Sequence, residues 1–275
     1  MQRFLTDLAD VLRNAGLRVV EIDGWETRGR PPDKGDFDPQ GILQHHTGAR
    51  DQDVASTMDD REYAVWLATV GRPDLPPPLC QISTGRDGTV YVCAAGRANH
   101  AGVALPSGPM PGGDGNALYL GNENQNTGTE GWKPAQLAAM VLADAAISRA
   151  YAWPADHTRA HWETSTTGKW DPGDPDGIPL GDKRVMDMDR FRAAVKATIQ
   201  EDEMSPEQET RLVERVIAAI HNAKYESPVD PTKTWDGDTI TKALYDTTHR
   251  TEAAVAEVKA AVTALTAIVK TLSNA

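Results

Sequence analysis

Apolar and polar positions along the chain follow two periods, and the switches between them mark out its elements. In residues 1–16, "MQRFLTDLADVLRNAG", apolar residues recur at helical spacing and stop at Asn14-Ala15-Gly16. That pattern predicts an amphipathic helix, with "LRVVEI" as a short strand behind it. The Pro- and Gly-rich stretch "RGRPPDKGDFDPQ" leads into "GILQHHTGA", which reads as a buried strand ending at a polar tip. "DDREYAVWLATVG" is helical in pattern, "RPDLPPP" breaks it, and two strands around Gly85-Arg86-Asp87-Gly88 read as a hairpin. "NALYLGNEN" is a further strand, and Pro134 opens the helix "PAQLAAMVLADAAISRAY". Strands and helices interleave, so the class is α/β or α+β with a mixed sheet.

The pattern changes near residue 201. Ser205 is placed as an N-cap, Pro206 at the first helical position and Gln208 for a capping box. After the Pro-containing break "YESPVDPTKTWDGD", Val255, Val258, Val262, Leu265, Val269 and Leu272 recur at coiled-coil spacing, with Leu244 on the same register. The expected organisation is a catalytic domain over 1–200, a linker and amphipathic helix over 201–226, and a long coiled-coil helix over 227–275. Such a narrow stripe favours a homo-oligomer through the C-terminal helix over a helix docked on the first domain.

Composition narrows the function. Forty acidic residues against 28 basic give a net charge of −12, the wrong sign for holding nucleic acid or an anionic membrane by charge. No apolar run approaches a membrane span, and the N-terminal pattern has no continuous apolar core of signal-peptide length. Cys80 and Cys93 flank "QISTGRDGTVYV". With Asp87 and Gly88 as the turn, Cys93 falls opposite Ile82 rather than Cys80, so a disulfide needs a shifted register and reduced thiols are expected.

Histidines carry the candidate chemistry. Catalytic zinc takes three protein ligands and leaves a fourth position for water. The candidates are His45 or His46, His100, His157, His161 and a carboxylate near Lys169. Neighbours on a strand face opposite ways, so His45 and His46 do not both reach one metal. His157 and His161 stand four apart, but Pro154 and Thr158 argue against a helix there and no HExxH glutamate is present. Any one of these histidines alone is more often a core or surface residue than a ligand. Trp162 and Trp170 are candidates to stack on sugar or peptide, although such tryptophans more often pack a loop. "MPGGDGNA" lacks the frame of a phosphate cradle and reads as a loop at the cleft rim.

Taken together, "ILQHHTGA", "NHAGVA", "YLGNENQN" and "HWETSTTGKWDPG" resemble, in order and separation, the zinc N-acetylmuramoyl-L-alanine amidases that share a fold with peptidoglycan recognition proteins. Endolysins of actinobacteriophages look especially similar, including "GRDGTVYVCAAGRANHAG". The likeness covers about 38–195, and His-(x7)-Lys-x-Asp-Pro is its most specific part. It implies an α/β fold with a mixed central β-sheet flanked by helices, here with a helical C-terminal extension. It further implies Zn2+ held by His45, His161 and Asp171, with Glu123 as acid/base, Lys169 as oxyanion stabiliser and His100 touching substrate. The implied partner is bacterial peptidoglycan, and the implied setting is the host cytoplasm before lysis, then the cell wall. Recognition modules of this fold that lack a zinc ligand bind without cutting; every such position is filled here, which favours catalysis. A virion-associated lysin is the other setting the same chemistry fits.

These roles agree with elementary chemistry. Two imidazoles and one carboxylate leave zinc with net positive charge, which brings the pKa of its water toward about 7. A proline after Asp171 restricts that residue's backbone and narrows where the carboxylate points.

Overall fold

The computed structural model describes residues 3–48 and 58–201, together with the strands Tyr225–Glu226 and Thr234–Trp235. The chain divides into two units, Met1–Glu203 and Met204–Ala275. The Ser205 N-cap, the heptad stripe from Leu244 to Leu272 and the self-association expected of it lie outside the described residues. Among the described residues no helix is long and apolar enough to cross a membrane.

The first unit is a mixed α/β structure built on six strands: β1 (Val19–Glu21), β2 (Gly41–His46), β3 (Ile82–Thr84), β4 (Val90–Val92), and two later ones. Two two-residue strands, β5 (Val103–Ala104) and β6 (Gly113–Asp114), pair apart from the sheet, so the later members are β7 (Tyr119–Asn124) and β8 (Thr158–Ala160). The order is β1-β4-β3-β7-β2-β8. The strands β3, β7, β2 and β8 run parallel, while β4 pairs antiparallel with β3 and parallel with β1. Parallel pairing sets His45 beside Glu123 and Gln44 beside Ala160, so the residues after these strands emerge along one edge.

Alternation along each strand sorts side chains between two faces. On one face Ile42, Ile82 and Leu120 meet Leu8 and Leu12 of α1 (Leu8–Asn14) and Ala139, Ala143 and Ile147 of α4 (Pro134–Tyr151). On the other, Tyr91 and Cys93 pack under Tyr63, Ala64 and Leu67 of α2 (Asp60–Thr69), while Leu43 and Tyr119 pack with Ala104 and Met110. The helix α2 begins at a capping box: Asp59 accepts from the Glu62 N–H at 2.8 Å and Glu62 accepts from the Asp59 N–H at 3.0 Å. Between β6 and β7 lies α3 (Gly115–Leu118), and after β8 come α5 (His161–Thr164), the hairpin β9 (Gly173–Leu180) and β10 (Lys183–Val185), and α6 (Met188–Glu201), which packs with α4 through Met140, Phe191 and Val195. The second unit's described strands, β11 (Tyr225–Glu226) and β12 (Thr234–Trp235), pair antiparallel.

Three expectations are corrected. The first helix spans only Leu8–Asn14. In the hairpin, Gly85 N–H donates to the Thr89 carbonyl and Val92 pairs with Ile82, so Cys93 lies opposite Gln81, one position from the expected register. Both cysteines are buried and unbonded. The segment "MPGGDGNA" is not a loop throughout: Gly113–Asp114 form β6, Gly115 opens α3, and Asp114 pairs with Arg97.

A polar anchor ties β2 to α4. Gln44 Nε2 donates to both Asp144 carboxyl oxygens at 2.8 Å, and Asn124 Nδ2 donates to Gln44 Oε1 and to the His45 carbonyl at 2.8 Å each. Burial pushes the Asp144 carboxyl up to about 8, so it is protonated in the native state at neutral pH. An unfolded Asp ionises near 4, so over the window from about 4 to 8 the native state holds the extra proton and stability falls as pH rises. Denaturant unfolding should show a steeper decline across the window in wild type than in Asp144→Asn, by up to one proton; equal slopes for the two proteins contradict the assignment.

Candidate metal centre

The site forms where the parallel strands end. His45, 1% exposed, projects from β2 on the face away from α4. His161 is the first residue of α5, directly after β8. Glu163 fixes that turn: its carboxylate accepts from the Ala160 N–H at 2.8 Å and from Arg192 of α6 at 3.0 and 3.1 Å, and it pairs with Arg159. Asp171 reaches the same point from the segment before β9, and its carbonyl accepts from the Trp162 N–H at 2.9 Å. The Asp171–Pro172 peptide is cis.

His45, His161 and Asp171 present ligand atoms that all lie within 4.8 Å of one another, and all three residues are buried. Asp171 Oδ2 is 2.8 Å from His45 Nδ1 and 3.0 Å from His161 Nδ1. Three lone-pair-bearing atoms so close repel unless protons or a cation sit among them. Burial opposes a proton on His45: desolvation outweighs the neighbouring carboxylate and lowers the ring to about 4. For Asp171, burial alone favours the neutral acid, but the imidazoles of His161 and His45 outweigh it and hold the carboxyl well below its ordinary range. A neutral imidazole and an ionised carboxylate are the states that bind metal. The donor set fits zinc.

Glu123 is one strand over, its Oε1 4.0 Å from His45 Nδ1. Burial, then the charge of Asp171, pushes its carboxyl well above the usual range, and Lys169 pulls the other way. Lys169 itself is exposed and lines the cleft. That cleft, about 690 Å³, contains His45, His161, Asp171 and Glu123, with a wall of Tyr63 and Trp66 from α2.

His100 packs against His45, its Nδ1 3.1 Å from His45 Nε2. Two residues that sequence reasoning missed put it there. Asn116 Oδ1 accepts from the His100 and Ala101 N–H groups at 2.8 Å each, and Gly121 leaves room for the ring, since a Cβ there would lie 2.6 Å from His100 Cγ. Only the glycine in "YLGNEN", interrupting a strand, hinted at a close approach. The other candidates fall elsewhere. His157 is not buried, and its Nδ1 lies 2.7 Å from the Gln40 carbonyl. Trp162 packs in the α4–α6 cluster, while Trp170 lines the cleft. His46 turns its ring away from the three-residue cluster toward Trp170, and both rings line the cleft.

Gly121→Ala should push the His100 ring off His45 in a chain that stays folded. Ring-to-ring nuclear Overhauser contacts between the two histidines should weaken or vanish; unchanged contacts contradict the packing argument.

Comparison with known proteins bears on what this centre belongs to. No curated protein matches the chain. Among solved structures it is similar to a selenomethionine derivative of AmpD, at 21% identity and TM-score 0.43, covering 65% of this chain and 93% of that one. It is similar also to the endolysin N-acetylmuramoyl-L-alanine amidase LysCS from Clostridium intestinale URNW, at 17% identity and TM-score 0.40, covering 64% and 93%. The catalytic domain of XlyA matches at 18% identity and TM-score 0.40, covering 65% and 99%. The profile of the Amidase_2 family, described as N-acetylmuramoyl-L-alanine amidase, matches residues 35–174, a span that holds every residue of the centre. With more than half of its length so matched, the chain belongs to the N-acetylmuramoyl-L-alanine amidase family.

Proposed function

We propose that the protein is a zinc-dependent amidase that hydrolyses the bond between the lactyl group of N-acetylmuramic acid and L-alanine of the peptidoglycan stem. The observation that carries this reading is the convergence of His45, His161 and Asp171, buried, on one point beside Glu123. Those three residues would hold the ion. When bound, zinc supplies Lewis acidity, which makes a water acidic near neutral pH and polarises the scissile carbonyl.

Glu123 takes the proton of the attacking water on its carboxylate and returns it to the alanine nitrogen as the C–N bond breaks. Its burial favours holding that proton between the two steps. Lys169 brings an ammonium to the cleft mouth, where negative charge grows on the carbonyl oxygen as the carbon becomes tetrahedral. His100, which lines the cleft, takes the role of touching the substrate. The cleft has the volume of an ordinary ligand site, and its Tyr63 and Trp66 wall offers apolar surface to sugar or peptide. The resemblance of the motif set to actinobacteriophage endolysins supports a lytic role, with the protein held in the host cytoplasm until another protein opens the membrane. The heptad stripe supports self-association through the C-terminal helix.

Digestion of purified cell walls tests the reaction. Free stem peptides with N-terminal L-alanine should accumulate, stop with a chelator and return with zinc; new sugar reducing ends or cut crossbridges instead contradict the reading. In the same assay Lys169→Ala should lose about 10²-fold or more in kcat with little change in KM. Glu123→Gln should lose about 10²- to 10⁴-fold. Near-wild-type turnover in either variant removes that residue's role.

A further inference from the structure

We infer that His46, which faces away from the cluster, is a positioning residue that sets the reach between the two ligand-bearing segments through one hydrogen bond to the Gly173 amide. The inference rests on the metal reading proposed above. His45 belongs to β2 and Asp171 to the segment before β9, 126 positions further along the chain. Something must fix the one against the other to a fraction of an ångström, because a site held about 1 Å too loosely binds poorly.

The segment Asp171–Gly173 is hydrogen-bonded at every carbonyl. The Asp171 carbonyl accepts from Trp162 N–H at 2.9 Å, that of Pro172 from Met186 N–H at 3.0 Å, and that of Gly173 from Trp132 Nε1–H at 3.0 Å. Those three donors come from α5, from the residue after β10 and from the loop before α4, none of which carries His45. The fourth bond is different: Gly173 N–H donates to His46 Nδ1 at 2.7 Å. His46 is the neighbour of His45 on β2, so this bond links one proposed ligand strand to the other ligand's segment.

The packing around it has no slack. The His46 ring meets Trp170 edge-on at 4.6 Å between centroids. A Cβ on Gly128 would lie 2.1 Å from His46 Cε1 and 2.7 Å from the Trp170 ring, and one on Gly173 would lie 2.1 Å from the Trp170 ring and 2.4 Å from the Gly128 carbonyl. Two glycine backbones thus close on the two rings. Trp170 lies between Lys169 and Asp171, so the lock holds the proposed oxyanion residue and the proposed ligand together. It also explains the paired histidines: alternation sends His45 to the ion and His46 to the segment that brings the third ligand.

The experiment uses the full chain stripped of metal and titrated with zinc against a chromophoric chelator, with thermal melts alongside. His46→Leu keeps bulk and removes the acceptor; His46→Asn offers Oδ1 near the place of Nδ1. His46→Leu should weaken zinc binding about 10- to 100-fold, the usual effect of losing an outer partner of a metal site, and His46→Asn should restore most of it. With cobalt in place of zinc, the visible spectrum of His46→Leu should shift from that of wild type, and that of His46→Asn should not. Equal affinities in Leu and wild type, equal losses in Leu and Asn, or failure of both variants to fold overturns the inference. A wild-type chain that takes up no zinc removes the metal reading itself, which separates the two failures.

Discussion

A buried carboxylate held between two imidazoles is the constraint on which the rest of the site depends. Asp171 is taken from water at some cost, and that cost is met only by a positive partner. Burial denies His45 an easy proton, so the cluster is one that a dication shared by all three groups would satisfy. The same charge arithmetic governs Glu123. Burial first, and then the uncompensated charge of Asp171, drives it toward its neutral form; a cation at the cluster would relieve the second of these and favour the carboxylate that accepts a proton.

The strand β2 does two jobs because it alternates. Ile42 and Gln44 face α4, the first as core and the second as the anchor to Asp144, while Leu43 and His45 face the cleft side. Parallel neighbours on both sides give it its leverage: β7 brings Glu123 level with His45, and β8 delivers His161 just beyond its end. The positions of His45, Glu123 and His161 are therefore fixed by backbone register, which is stiff, rather than by long side chains. The helix α6 adds to this from outside, since Arg192 reaches Glu163 and steadies the turn that carries His161.

Much of this was legible in the sequence, for reasons that can be stated residue by residue. The opposed faces of His45 and His46 follow from strand alternation, and Pro134 marked the start of α4 correctly. Other features depend on contacts that no local pattern encodes. Asn116 sits in a glycine-rich stretch that looks like a loop, yet its amide carries the His100 backbone. The hairpin register slipped by one because the Gly85–Thr89 bond closes a longer connection than a two-residue turn. Trp162 and Trp170 both flank site residues in sequence, and only tertiary packing sends one into the α4–α6 cluster and the other to the cleft.

Anomalous diffraction at the zinc edge, on crystals grown with zinc, tests the central claim most directly. The account predicts one strong peak about 2.0 to 2.2 Å from His45 Nδ1, His161 Nδ1 and an Asp171 carboxylate oxygen. A peak ligated instead by His46 or His100, or no peak at the cluster under saturating zinc, contradicts it.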